Sequence, residues 1–220
     1  MVNEMIVVQC DFDDTITVGN VSEAIREMFG PESWASMEEE YLSGKYSVEE
    51  SNIRQFALVK AAREDIVDFV LGDVVIRYGF EEFVGHCRGE GIRLVVVSSG
   101  LDLYIDPVMA HLGYEDLEVF SAVTNFTADG IGVEYTDPWG NSVMQGFKEA
   151  FVRHLKRDGD TVIYIGDGLS DVAPAAEADY VIARSSLQRY LSDRGIPFVG
   201  FETFNDVGRH VQEIRERIGE

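Results

Sequence analysis

Lysine is scarce in this chain. Only four residues of 220 are lysines (positions 45, 60, 148 and 156), and all Lys and Arg together number 18 against 40 Asp and Glu. The formal charge of -22 repels nucleic acid and anionic membrane, and no basic run reverses it locally, so neither is expected as a partner. The plain reading of this acidity is a well-solvated surface; a second is adaptation to high salt, where screening relieves self-repulsion. Cysteine is nearly absent. Cys10 and Cys87 lie far apart, without CxxC or Cys/His spacing, which disfavours a zinc site and predicts two buried thiols rather than a disulfide. No apolar run reaches the length of a membrane span, and Glu4 stands where a secretory leader would carry positive charge, so the cytoplasm is the expected compartment. Repeats and low-complexity tracts are missing too, and 45% hydrophobic with 26% charged residues is ordinary for a folded protein.

What is present is an alternation of short β-branched runs with helical patterns, which predicts an α/β fold on a mostly parallel sheet. Strands are expected at Ile6–Cys10, Leu94–Ser98, Thr161–Ile165 and Tyr180–Ala183, with a weaker one at Pro197–Gly200. The alternating segment Phe120–Glu134 contains the turn signal Ala128-Asp129-Gly130 and reads as a hairpin extending from the core. Helices are expected at Phe80–Glu90, Asp106–Leu112, Gly146–Arg157, Asp171–Ala176 and Phe204–Ile218. More than eighty residues separate the first strand from Leu94, far beyond a simple crossover. Within them Asn20–Phe29, Glu38–Leu42, Val48–Lys60 and Glu64–Leu71 have amphipathic spacing. The expected organisation is therefore a core of residues 1–17 and 74–220, with 18–73 inserted after the first strand as a small helical cap over the strand ends.

Two acidic loops follow apolar strands: Asp11-Phe12-Asp13-Asp14-Thr15 after the first, and Gly166-Asp167-Gly168-Leu169-Ser170-Asp171 after Thr161–Ile165. Carboxylates crowded at buried strand ends need a cation or a hydrogen-bond cage, and this pattern suits a magnesium-dependent phosphoryl-transfer site. Asp11 is the expected nucleophile. Asp13, on the same side of an extended backbone, is the expected general acid and then base. Asp11 and Asp167 through side chains, and Asp13 through its carbonyl, are the candidate Mg2+ ligands. Asp171 is expected to orient a metal-bound water or to cap the following helix. Asp14 is read as a solvent-facing or turn residue and Thr15 as a local hydrogen-bonding residue. Ser98, Ser99 and Gly100 end a strand and offer a hydroxyl and backbone N–H groups to phosphate, unless they form only a turn. Lys148 is the chosen phosphate cation against a plain surface role, and Lys156 is read as a helix-dipole partner.

With these residues placed, the chain resembles the haloacid dehalogenase superfamily. Asp11–Thr15 looks like its first motif, Ser98 its second, Lys148 its third and Gly166–Asp171 its fourth. The resemblance implies a Rossmann-like, doubly wound core, an aspartyl-phosphate intermediate and Mg2+; a cap between the first and second motifs is similar to the phosphoserine phosphatase-like branch. Within that branch, Ile76–Val84, the Lys148-to-Asp167 spacing and Ile165–Arg184 resemble the methionine-salvage phosphatases of 2-hydroxy-3-keto-5-methylthiopentenyl-1-phosphate. Pro138-Trp139-Gly140-Asn141 replaces the cysteine-rich segment of that subgroup. Phosphoserine phosphatases carry a cap Glu where this chain has Asn20, and a cap Arg for which Arg54 is the nearest candidate; Asn20 and Arg54 are the substrate candidates.

The expected activity is hydrolysis of a small phosphomonoester. Phosphoserine phosphatase is the first alternative, disfavoured by the lost charges. A phospho-accepting receiver-like signalling domain is the alternative from another class, and an inactive binding protein a third. Trp34, Phe29, Tyr41, Tyr46 and Phe56 either line an apolar cap pocket or pack.

Overall fold

The computed structural model describes residues 5–156 and 159–218. Three apolar runs, Ile6–Cys10 (β1), Arg93–Leu101 (β2) and Thr161–Gly166 (β5), make the centre of a seven-stranded sheet, with β1 between the other two in parallel register. Their residues are almost all buried, as expected of strands covered on both faces. Glu118–Thr127 (β3) and Gly130–Glu134 (β4) lie beyond β2, and Tyr180–Ala183 (β6) and Val199–Gly200 (β7) beyond β5. The order is β4-β3-β2-β1-β5-β6-β7, parallel except for β4. This is the doubly wound, Rossmann-like α/β arrangement, and the chain reverses its direction of travel across the sheet at β1. Ligands of such sheets bind in the crevice at the carboxyl ends of the strands beside that switch.

The expected hairpin is present, with β3 and β4 antiparallel from Val123 opposite Glu134 to Thr127 opposite Gly130, but it does not simply extend from the core. Its first arm, β3, is a full member of the sheet, paired in parallel with β2 (Val95 opposite Glu118), and only β4 turns back antiparallel. Alternation reports a half-buried strand and does not reveal the neighbour it pairs with.

Four helices lie between β1 and the remainder of the core: Val21–Phe29 (α1), Trp34–Leu42 (α2), Val48–Phe56 (α3) and Arg63–Asp73 (α4). The two strands of chain that enter and leave this block run antiparallel, bridging Thr17 to Ile76, with Val18 donating to the Val75 carbonyl. Phe80–Glu90 (α5) and Phe204–Ile218 (α10) pack through Phe80, Phe83 and Phe204, and Phe147–Leu155 (α7) packs on Val172–Glu177 (α8). The expected end of α7 at Arg157 falls outside the described residues. Asp102–His111 (α6) begins four residues before the expected Asp106. Burial of Leu103, Tyr104 and Ile105 carries it through Pro107. Ser185–Asp193 (α9) was not foreseen. Both cysteines are buried free thiols, as their apolar settings predicted. Among the described residues no helix is long and apolar enough to cross a membrane.

Candidate active site

The N–H of Asp11 still bonds the Ile165 carbonyl, one residue past β1, so Asp11 leaves the sheet at the switch crevice. The next side chain, Phe12, is fully buried, and alternation brings Asp13 back towards the side of Asp11. Asp13 is held at both oxygens: Oδ1 accepts from the Val21 N–H (2.9 Å) and Oδ2 from the Tyr104 hydroxyl (2.5 Å). Burial raises its pKa, against those hydrogen bonds.

Lys148 is the second residue of α7. That helix starts at Gly146 with φ 79°, which has no side chain to cap it; Oε1 of Glu49, reaching over from α3, accepts the Phe147 N–H instead at 2.9 Å. The Lys148 ammonium, 2% exposed, lies 2.7 Å from Oδ1 of Asp11 and 2.7 Å from Oδ1 of Asp171. Burial opposes its charge, but Asp11 and Asp171 hold its pKa above the ordinary lysine value.

Asp171 takes four donors: Lys148 and the Tyr164 hydroxyl on Oδ1, and the N–H groups of Asp167 and Gly168 on Oδ2. Its side chain accepts the Gly168 N–H and so caps the turn Leu169–Asp171 that leads into α8, though not α8 itself, and it fixes Lys148 and folds the second acidic loop. Burial alone would raise its pKa, but the Lys148 charge and these hydrogen bonds lower it.

One oxygen each from Asp11, Asp167 and Asp171 lies within 4.8 Å of the others. Burial and the Asp171 charge push Asp11 up to about 7, and burial with Asp171 and Asp11 pushes Asp167 up to about 9. Three carboxylates thus face one ammonium, and the excess negative charge fits a divalent cation shared by Asp11 and Asp167. Thr15 spans the loops by donating to Oδ1 of Asp167 at 3.2 Å.

Ser98 and Ser99 are buried at the end of β2, where Ser98 Oγ accepts the Gly100 N–H at 2.9 Å. A Cβ at Gly100 would stand 2.1 Å from the Tyr104 hydroxyl and 2.8 Å from Oδ2 of Asp13, so only glycine fits against the Asp13–Tyr104 pair. These groups line a cavity of about 200 Å³ together with Asn20, Arg26, Glu38, Tyr41 and Asn52 from the inserted helices.

Several expectations about that insertion are corrected. Arg54 faces solvent on the far side of α3, paired with Glu50 at 2.7 Å and stacked on Tyr46, and does not line the cleft. The arginine that does is Arg26, which was not assigned from sequence. Asn20 borders the cleft, yet its Oδ1 is occupied in capping α1 through the Glu23 N–H. Of the five aromatics, only Tyr41 reaches this cleft; Phe29 packs edge-on to Phe69, Phe56 is in the core and Trp34 covers Arg26. Asp14 is more than a turn residue. At φ 52° it pairs with Arg77 (3.3 Å) and Arg184 (2.9 Å), both unforeseen, which also bind its carbonyl. No local pattern marks either arginine, since each lies at least sixty residues from its partner.

Residues 8–176 match the haloacid dehalogenase-like hydrolases. The chain belongs to this family. Among its relatives, a 2-hydroxy-3-keto-5-methylthiopentenyl-1-phosphate phosphatase of Brevibacillus brevis is 34% identical over 220 residues, covering 98% of this chain and 99% of the relative. A phosphatase of the same name from Geobacillus thermodenitrificans is 32% identical over 215 residues, covering 96% and 97%. A solved structure described as a phospho-aspartyl intermediate analogue of phosphoserine phosphatase superposes on the hydrolase with a TM-score of 0.73, covering 94% of this chain and 99% of the other. At 18% identity that likeness shows the fold alone. The hydrolase is thus of the phosphatase type within its family, as its four motifs led one to expect.

Proposed function

We propose that this hydrolase cleaves a small phosphomonoester through a phosphorylated Asp11, with Mg2+ as cofactor. The observation that carries the reading is the Lys148 ammonium locked 2.7 Å from Asp11 and from Asp171 beside the half-buried Asp167. Asp11 and Asp167, with the Asp13 carbonyl, would hold the metal, which supplies positive charge to the transferring phosphoryl group.

The carboxylate of Asp11 forms a bond to phosphorus as the bond to the ester oxygen breaks, and Asp13 passes its proton to that leaving oxygen. Asp13 then takes a proton from water, whose oxygen attacks phosphorus and releases Asp11. Lys148, the Ser98 hydroxyl and the N–H groups near Ser99 and Gly100 stabilise the equatorial oxygens. The raised pKa of Asp13 suits an acid that must carry a proton near neutral pH. Identity of about a third with phosphatases of 2-hydroxy-3-keto-5-methylthiopentenyl-1-phosphate supports an ester of that kind as substrate. The acidic surface and the charged cleft suit a small phosphorylated metabolite rather than nucleic acid.

Phosphate release from a panel of monoesters, including phosphoserine and sugar phosphates, with Mg2+ and with EDTA, tests this. Mg2+-dependent release supports it. A stable acyl-phosphate without turnover overturns it in favour of the receiver alternative.

A further inference from the structure

The end of β2 and the start of α7, which the phosphatase reading places against the phosphoryl group, are both held by one helix. Glu49 and Asn52 lie three residues apart on α3, share a face and are buried. Oε1 of Glu49 accepts the Phe147 N–H at 2.9 Å, ninety-eight residues along the chain. The first N–H groups of a helix need an acceptor from outside it, and Gly146 has no side chain to offer one. Ser47, the N-cap of α3, adds a second tie by donating to the Met144 carbonyl at 2.5 Å.

Asn52 holds the other element. Its Nδ2 donates to the Ser99 carbonyl (2.8 Å) and to the Tyr135 hydroxyl (2.9 Å), while its Oδ1 accepts from Nη1 of Arg26 (3.3 Å). A flipped amide would set oxygen against the Ser99 carbonyl and N–H groups against the guanidinium, so this network fixes its orientation. The Tyr135 hydroxyl donates to the same Ser99 carbonyl at 2.5 Å, and two donors fill the two lone pairs of that oxygen. Tyr135 also packs edge-on against Phe147, with ring centroids 5.3 Å apart. The contacts thus close on themselves, from Glu49 to Phe147, to Tyr135, to Asn52 and back along α3.

Each end of this circuit reaches a group aimed at the cleft. The Ser99 carbonyl and the Gly100 N–H belong to one planar peptide unit, so pinning the carbonyl sets the direction of the N–H. That N–H donates to Ser98 Oγ, which leaves the hydroxyl hydrogen of Ser98 free to point elsewhere. At the other end, Phe147 directly precedes Lys148, whose ammonium stands 2.7 Å from Asp11. Glu49 does not itself line the cleft that holds Asp11.

We propose that Glu49 and Asn52 are positioning residues, which together brace the Lys148 ammonium and the Ser98 hydroxyl at the separation one phosphoryl group requires. The proposal rests on the phosphatase reading above and adds two residues that act through others. A small displacement of either group lowers the rate of the chemical step for any ester, because every ester presents the same phosphoryl oxygens.

The test measures kcat, KM and the melting temperature with Mg2+ for two esters of unlike alcohols, phenyl phosphate and glycerol 3-phosphate. Glu49→Leu is expected to lower kcat about tenfold or more, by the same factor for both esters. Glu49→Gln keeps an oxygen for the Phe147 N–H and is expected to regain most of that loss. Asn52→Leu is expected to lower kcat for both esters alike, and the double variant to fall less than the product of the two single losses, since both cut one brace. If Glu49→Leu does not fold, Asn52→Leu and Glu49→Gln decide by the same criteria. Unchanged kcat per folded molecule, whatever the melting temperature, overturns the brace, as does a Gln variant no better than Leu. Losses that differ between the two esters also overturn it, because they mark contact with the alcohol; in each case the phosphatase reading stands. No hydrolysis of any ester by the unaltered protein overturns both.

Discussion

The Tyr104 hydroxyl donates to Oδ2 of Asp13 at 2.5 Å, from a helix ninety-one residues further along the chain. Both groups are buried, and the glycine at position 100 is what lets them meet beside the end of β2. Burial and the Asp13 charge push the Tyr104 hydroxyl well above its ordinary pKa, so it remains a donor throughout the working range.

Removing that donor in Tyr104→Phe costs Asp13 one charged hydrogen bond, worth about 1.5–3 kcal/mol. The expected outcome is a fall in kcat of about tenfold or more. The alkaline limb of the pH–rate profile moves upward, because the lost bond lowered the Asp13 pKa. An unchanged profile would remove Tyr104 from the acid/base apparatus.

Asp11→Asn is expected to reduce turnover by at least about a thousandfold, since the amide is not a nucleophile, while circular dichroism and the melting temperature show a retained fold. Substantial phosphate release by this variant refutes the nucleophile assignment.

Lys148→Met leaves Asp11 and Asp171 buried without their cation. Breaking a buried ion pair on one side costs about 3–5 kcal/mol, so urea unfolding should show a loss of that order in addition to lost activity. A stability change under about 1 kcal/mol would mean that the carboxylates are neutralised in another way.

Without metal, stability should fall as pH rises. Asp11 and Asp167 have folded pKa values raised to about 7 and about 9 from an ordinary 3.8, so the native state binds more protons than the unfolded chain between about pH 4 and pH 9. Their protonated forms favour folding below that window, and the benefit is lost as pH climbs through it. Thermal melts in EDTA should therefore drop from pH 5 to pH 9, and Mg2+ should restore much of the loss at pH 8. Coincident curves with and without Mg2+ would refute the metal assignment to Asp11 and Asp167.

The sequence by itself determined the elements whose signals are local. β1, β5, β6, α5 and α10 were legible because apolar runs and helical spacing repeat within a few residues. The two acidic loops were legible because they follow such runs directly. The sheet partner of β3, the start of α6 before Pro107 and the path of α9 were not, since pairing and packing against distant segments decided them. Position in the cleft followed the same division. Arg54 and Arg26 both sit on helices between β1 and β2, and nothing in their neighbourhoods says which one turns inward; the tertiary packing of α1, α2 and α3 put Arg26 beside Glu38 and Asn52 and sent Arg54 to solvent. Tyr104, Glu49, Arg77 and Arg184 likewise acquire their roles only through contacts spanning roughly sixty to one hundred and seventy residues. A chain can announce which groups are costly to bury, because that depends on residue type and local pattern. Which partner relieves each of them is a property of folded space, because hydrogen bonds and charge pairs act over a few ångströms whatever the separation along the backbone.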